Sequence, residues 1–371
     1  MNLIMKIKLY FDKYLLKINL IFVTLLVTFG IFLVSSATAV ESQRIYEDSF
    51  YMIRNHLLAL VIGIVAAFLI TKIDYKNITN ISNSLIIFMT LILFFLLTYG
   101  ENVFGSTRWL DLGFIRLQPS EIAKPIIIIW VADQLSKVDL DGNNIQTIWR
   151  TSFMPGIAII LIFLQPDFGT AATLAFIVFM QLLFSRVKFI YPALLSIVAW
   201  FTGKFFLSSE IYRAERLRVW SEGICDQGLE LLGSCFQVHQ SRIAISSGGM
   251  FGLGPGTSRA RWGSLPSAYS DFISAIIGEE YGFVGYIVFV FILSVTVISF
   301  FLIAIRQKNE FKRIFTVGLG AWILFQSILN LGASVYLLPI TGIVLPFVSY
   351  GGSAMVSIFI ALGIMHSRGY E

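Results

Sequence analysis

Charge is scarce in this chain. Only 13% of its 371 residues are Asp, Glu, Lys or Arg, where a soluble domain carries about 25%. Histidine is scarcer still: His56, His239 and His366 are far apart and belong to no zinc-type motif, and the sequence has neither a metalloprotease helix nor a GxSxG nucleophile elbow. A Walker lysine pattern and a strand–GxGxxG–helix context are also missing, which removes the usual nucleotide-binding readings. There is no internal repeat, no heptad pattern and no long soluble stretch. The two cysteines, Cys225 and Cys235, fall in one segment. In an oxidising compartment such a pair can form a disulfide, and two free thiols fit the same sequence equally well.

What the chain has instead is apolar sequence, at 57% hydrophobic residues and a mean hydropathy of +0.80. A helix that crosses a bilayer needs roughly 20 mainly apolar residues. Such stretches recur at 16–38, 56–73, 82–99, 119–135, 152–165, 171–185, 189–208, 272–305, 314–338 and 343–366. The expected fold is therefore an all-α polytopic membrane protein of about ten spans, one integral domain over 1–371, with a large extracytoplasmic loop at 209–271 between the seventh and eighth spans. The lysine-bearing N-terminus reads as a retained first span rather than a cleaved signal.

Lysine and arginine orient it, because short cytoplasmic loops carry their excess. With both termini inside, the inner loops hold Lys72, Lys76, Lys137, Arg150, Arg186, Lys188, Arg306, Lys308, Lys312, Arg313 and Arg368, while the short outer loops hold only Arg44, Arg54, Arg108 and Arg116. The net charge of +5 is thus a topology signal, and scattered loop cations of this kind call for no nucleic-acid partner.

Gly, Pro, Trp and unusual polar residues gather in the outer segments. In GSTRWLDLGFIRLQPSEIAKP, Arg108 and Trp109 suit the headgroup level, Gly105 and Ser106 allow a tight re-entry, and Glu121 and Lys124 lie one helical turn apart inside a span. Intramembrane charges are costly and usually face a partner or a cavity. In LQPDFGT, Asp167 occupies a Pro/Gly turn, which by itself is ordinary turn chemistry but brings an acid to the leaflet that Lys124 reaches. YRAERLRVW reads as an interfacial helix or as an arginine grip on phosphate, with Arg216 at its centre. Five glycines between Gly248 and Gly256 suggest a flexible backbone track. Asp271 opens the next span as an N-cap or a functional acid, and Glu279 and Glu280 follow two turns on, one of them able to pair with Lys124. The uncharged LPITGIVLPFVSYGGS suggests a broken or re-entrant helix start, tolerated only where it lines a cavity or is covered by protein.

GSTRWLDLG with QPSE, QPDFGT, SGGMFGLGPGTSRARWGSLPSAYSDFISAIIGEEYGF and LPITGIVLPFVSYGGS resemble, in order, motifs of the shape, elongation, division and sporulation (SEDS) proteins, more the division-linked FtsW branch than the elongation-linked RodA branch. The resemblance implies a ten-span peptidoglycan glycosyltransferase of the bacterial inner membrane that polymerises lipid II at the division septum. The implied partners are a class B penicillin-binding transpeptidase and other divisome membrane proteins. The family's essential acid falls on Asp271, although Tyr269 and Ser270 stand where division members often have His and Thr. Residues expected to meet substrate are Arg108, Trp109, Gln118, Ser120, Glu121, Lys124, Asp167, Arg216, Gln240, Glu280, Ser349 and Gly351. Arg108, Arg216 and Lys124, with or without a divalent cation such as Mg or Mn, would steady the pyrophosphate. A lipid flippase and a non-catalytic division scaffold are the competing functions.

Overall fold

A computed structural model describes residues 3–103, 106–111, 116–138, 145–197, 218–225 and 235–368. The first half contains α1 (Leu3–Tyr46), α2 (Tyr51–Thr71), the short α3 (Tyr75–Asn80) and α4 (Ser82–Tyr99). A small antiparallel sheet of β1 (Glu101–Val103), β2 (Ser106–Asp111) and β3 (Arg116–Leu117) follows, then α5 (Pro119–Ser136), α6 (Ile145–Leu164) and α7 (Phe168–Leu183). The second half contains α8 (Phe236–Ser247), α9 (Ile273–Arg306), α10 (Glu310–Ser334) and α11 (Gly352–Met365).

Five of the described helices are long and apolar enough to cross a membrane: α1, α2, α4, α9 and α10. α7, α11 and the Trp149–Leu164 part of α6 are shorter apolar helices, and α5 carries Glu121, Lys124 and Asp133 along its length. The most apolar windows of α2 and α4 are only 22% and 28% buried, against 78% for α10, so α2 and α4 face lipid while α10 forms the axis of the bundle. The arrangement inverts that of a soluble protein. Lipid accepts apolar side chains, so the least apolar of the five long helices is the one the protein encloses.

The seventh span, 189–208, is helical over 190–197, and 198–208 lies outside the described residues, as do 209–217 and 226–234 of the long segment that follows. The last span begins at Gly352, not 343. Between α10 and α11 the chain is irregular yet buried at Ile343, Leu345, Phe347, Val348 and Ser349. It presses against the middle of α1: a Cβ on Gly30 would come within 2.7 Å of Phe347 O and 2.8 Å of Val348 Cα. Non-helical backbone at that depth is tolerated because protein covers it. Gly105, where a tight re-entry is expected, lies outside the described residues; on either side of it the small sheet pairs Glu101 with Trp109 and Leu110 with Leu117. Trp109 is half-buried within it.

Candidate active site

α5 begins at Pro119, whose fixed φ suits the first helical turn, and its N-terminal end is tied to two other elements. Gln118 N donates to Ser353 Oγ of α11 at 3.1 Å. Ser120 Oγ and Gln118 Nε2 donate to Asp167 Oδ2 at 3.0 and 3.4 Å. Asp167 is 3% exposed and also caps α7 by accepting from Thr170 N at 3.3 Å. Arg108 reaches the same turn, where its guanidinium donates to the carbonyls of Gln165 and Pro166. It therefore braces the backbone of that turn.

One turn into α5, Lys124 is fully buried. Its Nζ donates to Glu121 Oε1 at 2.6 Å and to Gln326 Oε1 at 3.1 Å, and it stands 5.3 Å from the Trp322 ring centroid. The pair explains how a charge survives inside the bundle: separating two buried partners leaves an uncompensated ion, at a cost of about 3–5 kcal/mol. Glu121 Oε2 has no hydrogen-bond partner among the described residues. Lys124 meets Glu121 and Gln326 rather than Asp167, Glu279 or Glu280, so the contacts expected with those acids are not formed.

Trp322, Gln326 and Asn330 lie four residues apart on α10 and form one polar stripe. Gln326 Nε2 donates to Val344 O at 2.8 Å. Asn330 Nδ2 donates to Ile343 O at 2.7 Å and to Asp271 O at 2.9 Å. The stripe thus runs from the Lys124–Glu121 pair to Asp271. Nothing in the outer motifs pointed to it, but amides at helical spacing within an apolar span were a legible signal.

The Asp271 turn is compact. Ser267 takes φ 55, and its carbonyl accepts from Ser270 N, Asp271 N and Phe272 N at 3.2, 3.1 and 3.4 Å. α9 has Phe272 as its N-cap residue, so the capping role open to Asp271 is not the one it fills. Leu265, Ala268 and Phe272 are buried and anchor the turn, leaving Asp271 half-buried. The re-entrant segment closes on it. Ser349 Oγ donates to Ser270 O at 2.6 Å, Tyr350 N donates to Tyr269 O at 3.0 Å, and the Tyr269 and Tyr350 rings meet edge to face at 5.7 Å. Burial, followed by the charges of Glu41 and Asp271, holds the Tyr269 hydroxyl above its ordinary pKa, so it remains a neutral donor. Gly342, at φ +69, lies against the acid: a Cβ there would be 3.6 Å from Asp271 Oδ2. Gly351 precedes α11 and faces Val344.

Other candidates fall elsewhere. Glu279 accepts from Ser258 Oγ at 2.5 Å, Arg259 N at 3.0 Å and Ala260 N at 3.2 Å. Glu280 accepts from Ser258 N and Ser36 Oγ, both at 3.4 Å. Both acids organise the glycine-rich segment. That segment is no flexible track. α9 breaks at Gly282, with φ 65 and ψ −167, and the loop fills the break: Leu253 N and Gly254 N donate to Glu279 O and Glu280 O at 3.0 Å, and Phe283 N donates to Gly249 O at 2.9 Å. Gly252 is required there, since a Cβ would fall 2.1 Å from Glu280 O. Gln240 is half-buried on α8, and Arg216 lies outside the described residues. Cys225 and Cys235 are joined by a disulfide, with Cα atoms 5.3 Å apart, which settles the alternative the sequence left open. Among the described residues no three His, Cys, Asp or Glu side chains converge to hold a metal ion, so no step is routed through one.

The fold and site define a polytopic helical membrane protein whose buried polar stripe ends at a half-exposed carboxylate near one end of the bundle. The cell cycle protein family model of FtsW, RodA and SpoVE matches residues 17–368, and the chain belongs to that family. It is 32% identical to stage V sporulation protein E of Bacillus subtilis, over 92% of this chain and 93% of that protein. It is also 32% identical to the probable peptidoglycan glycosyltransferase FtsW of Coxiella burnetii, over 93% of this chain and 94% of that protein. Among solved structures it superposes on a chain from a peptidoglycan synthase complex that coordinates polymerization and crosslinking, with TM-score 0.75, 21% identity and coverage of 94% and 95% of the two chains. The rod shape determining protein RodA of Thermus thermophilus gives TM-score 0.69 at 22% identity, covering 94% of each chain.

Proposed function

We propose that this chain is a peptidoglycan glycosyltransferase that polymerises lipid II at the outer face of the cytoplasmic membrane, with Asp271 as general base. In this reading the Asp271 carboxylate takes the proton of the acceptor sugar 4-hydroxyl as that oxygen attacks the anomeric carbon of the donor. The bond from that carbon to the donor's pyrophosphate breaks with inversion, and undecaprenyl pyrophosphate leaves carrying the electron pair. General-base catalysis is worth about 10²–10⁴-fold.

The observation that carries the reading is the way Asp271 is held. Asn330 grips its main-chain carbonyl, Ser349 and Tyr350 grip the two residues before it, and its side chain stands half-buried beside Gly342. Fixing a reacting group through its backbone removes the cost of orienting it at the moment of reaction. Lys124 and Glu121, fully enclosed, act as the support beneath this site rather than as direct contacts to pyrophosphate. Arg216 is assigned to the pyrophosphate by its guanidinium chemistry.

Placing the Asp271 end outside and both termini in the cytoplasm follows the distribution of lysine and arginine. Action at the division septum beside a class B transpeptidase and other divisome proteins follows the likeness to FtsW proteins. The test is polymerisation of labelled lipid II by purified protein in detergent, wild type beside Asp271→Ala. Polymer from the wild type and none from a well-folded variant is expected. A flippase would make no polymer without a bilayer to cross, and a scaffold would be indifferent to the substitution.

A further inference from the structure

Far from Asp271, a cavity of about 450 Å³ opens between α4, α5 and α6, within the roughly 300–1,000 Å³ typical of small-molecule clefts. Its walls are graded. At the mouth, near the N-terminal ends of α4 and α6, stand Asn83, Trp149 and Arg150, all exposed, Trp149 at 71%. Buried Ile86 and half-buried Met154 line the wall and Trp130 closes the back, with Ile87 and Phe153 exposed along the flank. Trp130 Nε1 donates to Asn83 Oδ1 at 3.0 Å, which ties the back wall to the rim. Trp149 and Phe153 are one turn apart with ring centroids 6.0 Å from each other.

The grading matches one kind of molecule. An apolar cleft on the flank of a membrane bundle is filled by acyl chain, and an amphipathic ring beside a cation at its mouth is the arrangement found at the headgroup level. No ion pair of Arg150 with another described residue is formed, whereas Lys137 at the same end of the bundle is committed to Asp133 at 2.8 Å and Arg186 to Glu310 at 2.6 Å. A guanidinium suits phosphate because its fork donates two parallel hydrogen bonds. The basic loops place this end at the cytoplasmic leaflet, where anionic lipids concentrate.

We propose that the α4–α5–α6 cleft binds one anionic phospholipid of the cytoplasmic leaflet, its phosphate on Arg150 and Asn83 and an acyl chain against Ile86, Phe153 and Met154. The site is separate from the catalytic end and serves to seal the flank of α5, the helix that carries Lys124 and Glu121. It does not depend on the chemistry assigned to Asp271.

The full-length protein, purified in detergent and titrated with phosphatidylglycerol or phosphatidylcholine, is examined by native mass spectrometry. Wild type should retain one phosphatidylglycerol at concentrations where phosphatidylcholine is lost. Arg150→Ala should weaken that retention about tenfold, the effect of one charge-assisted contact. Asn83→Asp, which keeps the acceptor for Trp130 but puts a negative charge at the mouth, should weaken it at least as much. Size-exclusion profiles of both variants report folding separately. Equal retention of the two lipids, or retention unchanged in both variants, overturns the proposal. So does displacement of the bound phosphatidylglycerol by undecaprenyl pyrophosphate, which would make the cleft a site for substrate or product.

Discussion

Asp133, near the C-terminal end of α5, is 2% exposed, and its Oδ2 accepts from Ser82 Oγ at 2.9 Å, Gln134 Nε2 at 3.3 Å and Lys137 Nζ at 2.8 Å. Asp271, beyond the opposite end of the same helix, is half-buried, and Asn330 Nδ2 donates to its main-chain carbonyl. The first acid is consumed as a structural acceptor that ties α4 to α5. The second is carried on a turn that neighbouring elements clamp from behind. The difference teaches that burial of an acid in a membrane bundle is not the mark of function. What marks it is a rigid backbone combined with a carboxylate that is only half-buried.

Asp271→Ala gives the largest contrast. Polymerisation should fall about 10²–10⁴-fold with the melting temperature in detergent nearly unchanged, and a variant that polymerises at the wild-type rate would erase the distinction between the two acids. Glu121→Ala is expected to act on the fold instead. It strands the fully buried Lys124, so stability should drop by about 3–5 kcal/mol, read by thermal unfolding, and Glu121→Gln should recover part of the loss by keeping an acceptor for Lys124.

Asp133→Ala sharpens the comparison from the other side. Lys137 is 62% exposed and returns to water, but the Ser82 hydroxyl loses its partner inside the protein. The expected cost is therefore about 1–3 kcal/mol, with lipid II polymerisation per folded molecule unaltered. A selective loss of rate in this variant would mean that the two ends are coupled. The smallest effect is that of Gly342→Ala. The residue sits at φ +69, where a side chain costs roughly 1 kcal/mol, and the added methyl lies 3.6 Å from Asp271 Oδ2. A modest loss of stability should accompany a fall in kcat larger than any change in KM.

The helical bundle was legible because bilayer spans are written locally: about 20 apolar residues are enough to specify one. α4, α5 and α9 begin and end within a few residues of the expected positions. The last span begins nine residues later than hydropathy placed it, and 343–351 is the irregular, protein-covered start that the prolines and SYGGS break of LPITGIVLPFVSYGGS suggested. Composition does not show that the covering comes from α1, and the close approach at Gly30 is a tertiary fact. Within the site, Asp271, Glu121, Lys124 and Asp167 stood out as charges in costly places. Their partners were harder to assign. Glu279 and Glu280 looked available to Lys124 because sequence spacing places residues on helix faces but says nothing of which loop folds onto that face. The 258–260 turn takes Glu279, and Gln326 takes Lys124.

By itself the sequence determined that this protein lives in a bilayer, where most of its long apolar helices run, where its unusual charges lie and which acid stands just before α9. Each of these depends on local composition against a solvent of fixed thickness. Only the tertiary structure decided that Arg108 braces backbone, that the glycine-rich segment plugs the break in α9, and that Asn330, Ser349 and Tyr350 hold the Asp271 turn in place. Those outcomes depend on which polar groups find one another once lipid has refused them, and that matching is made between distant parts of the chain.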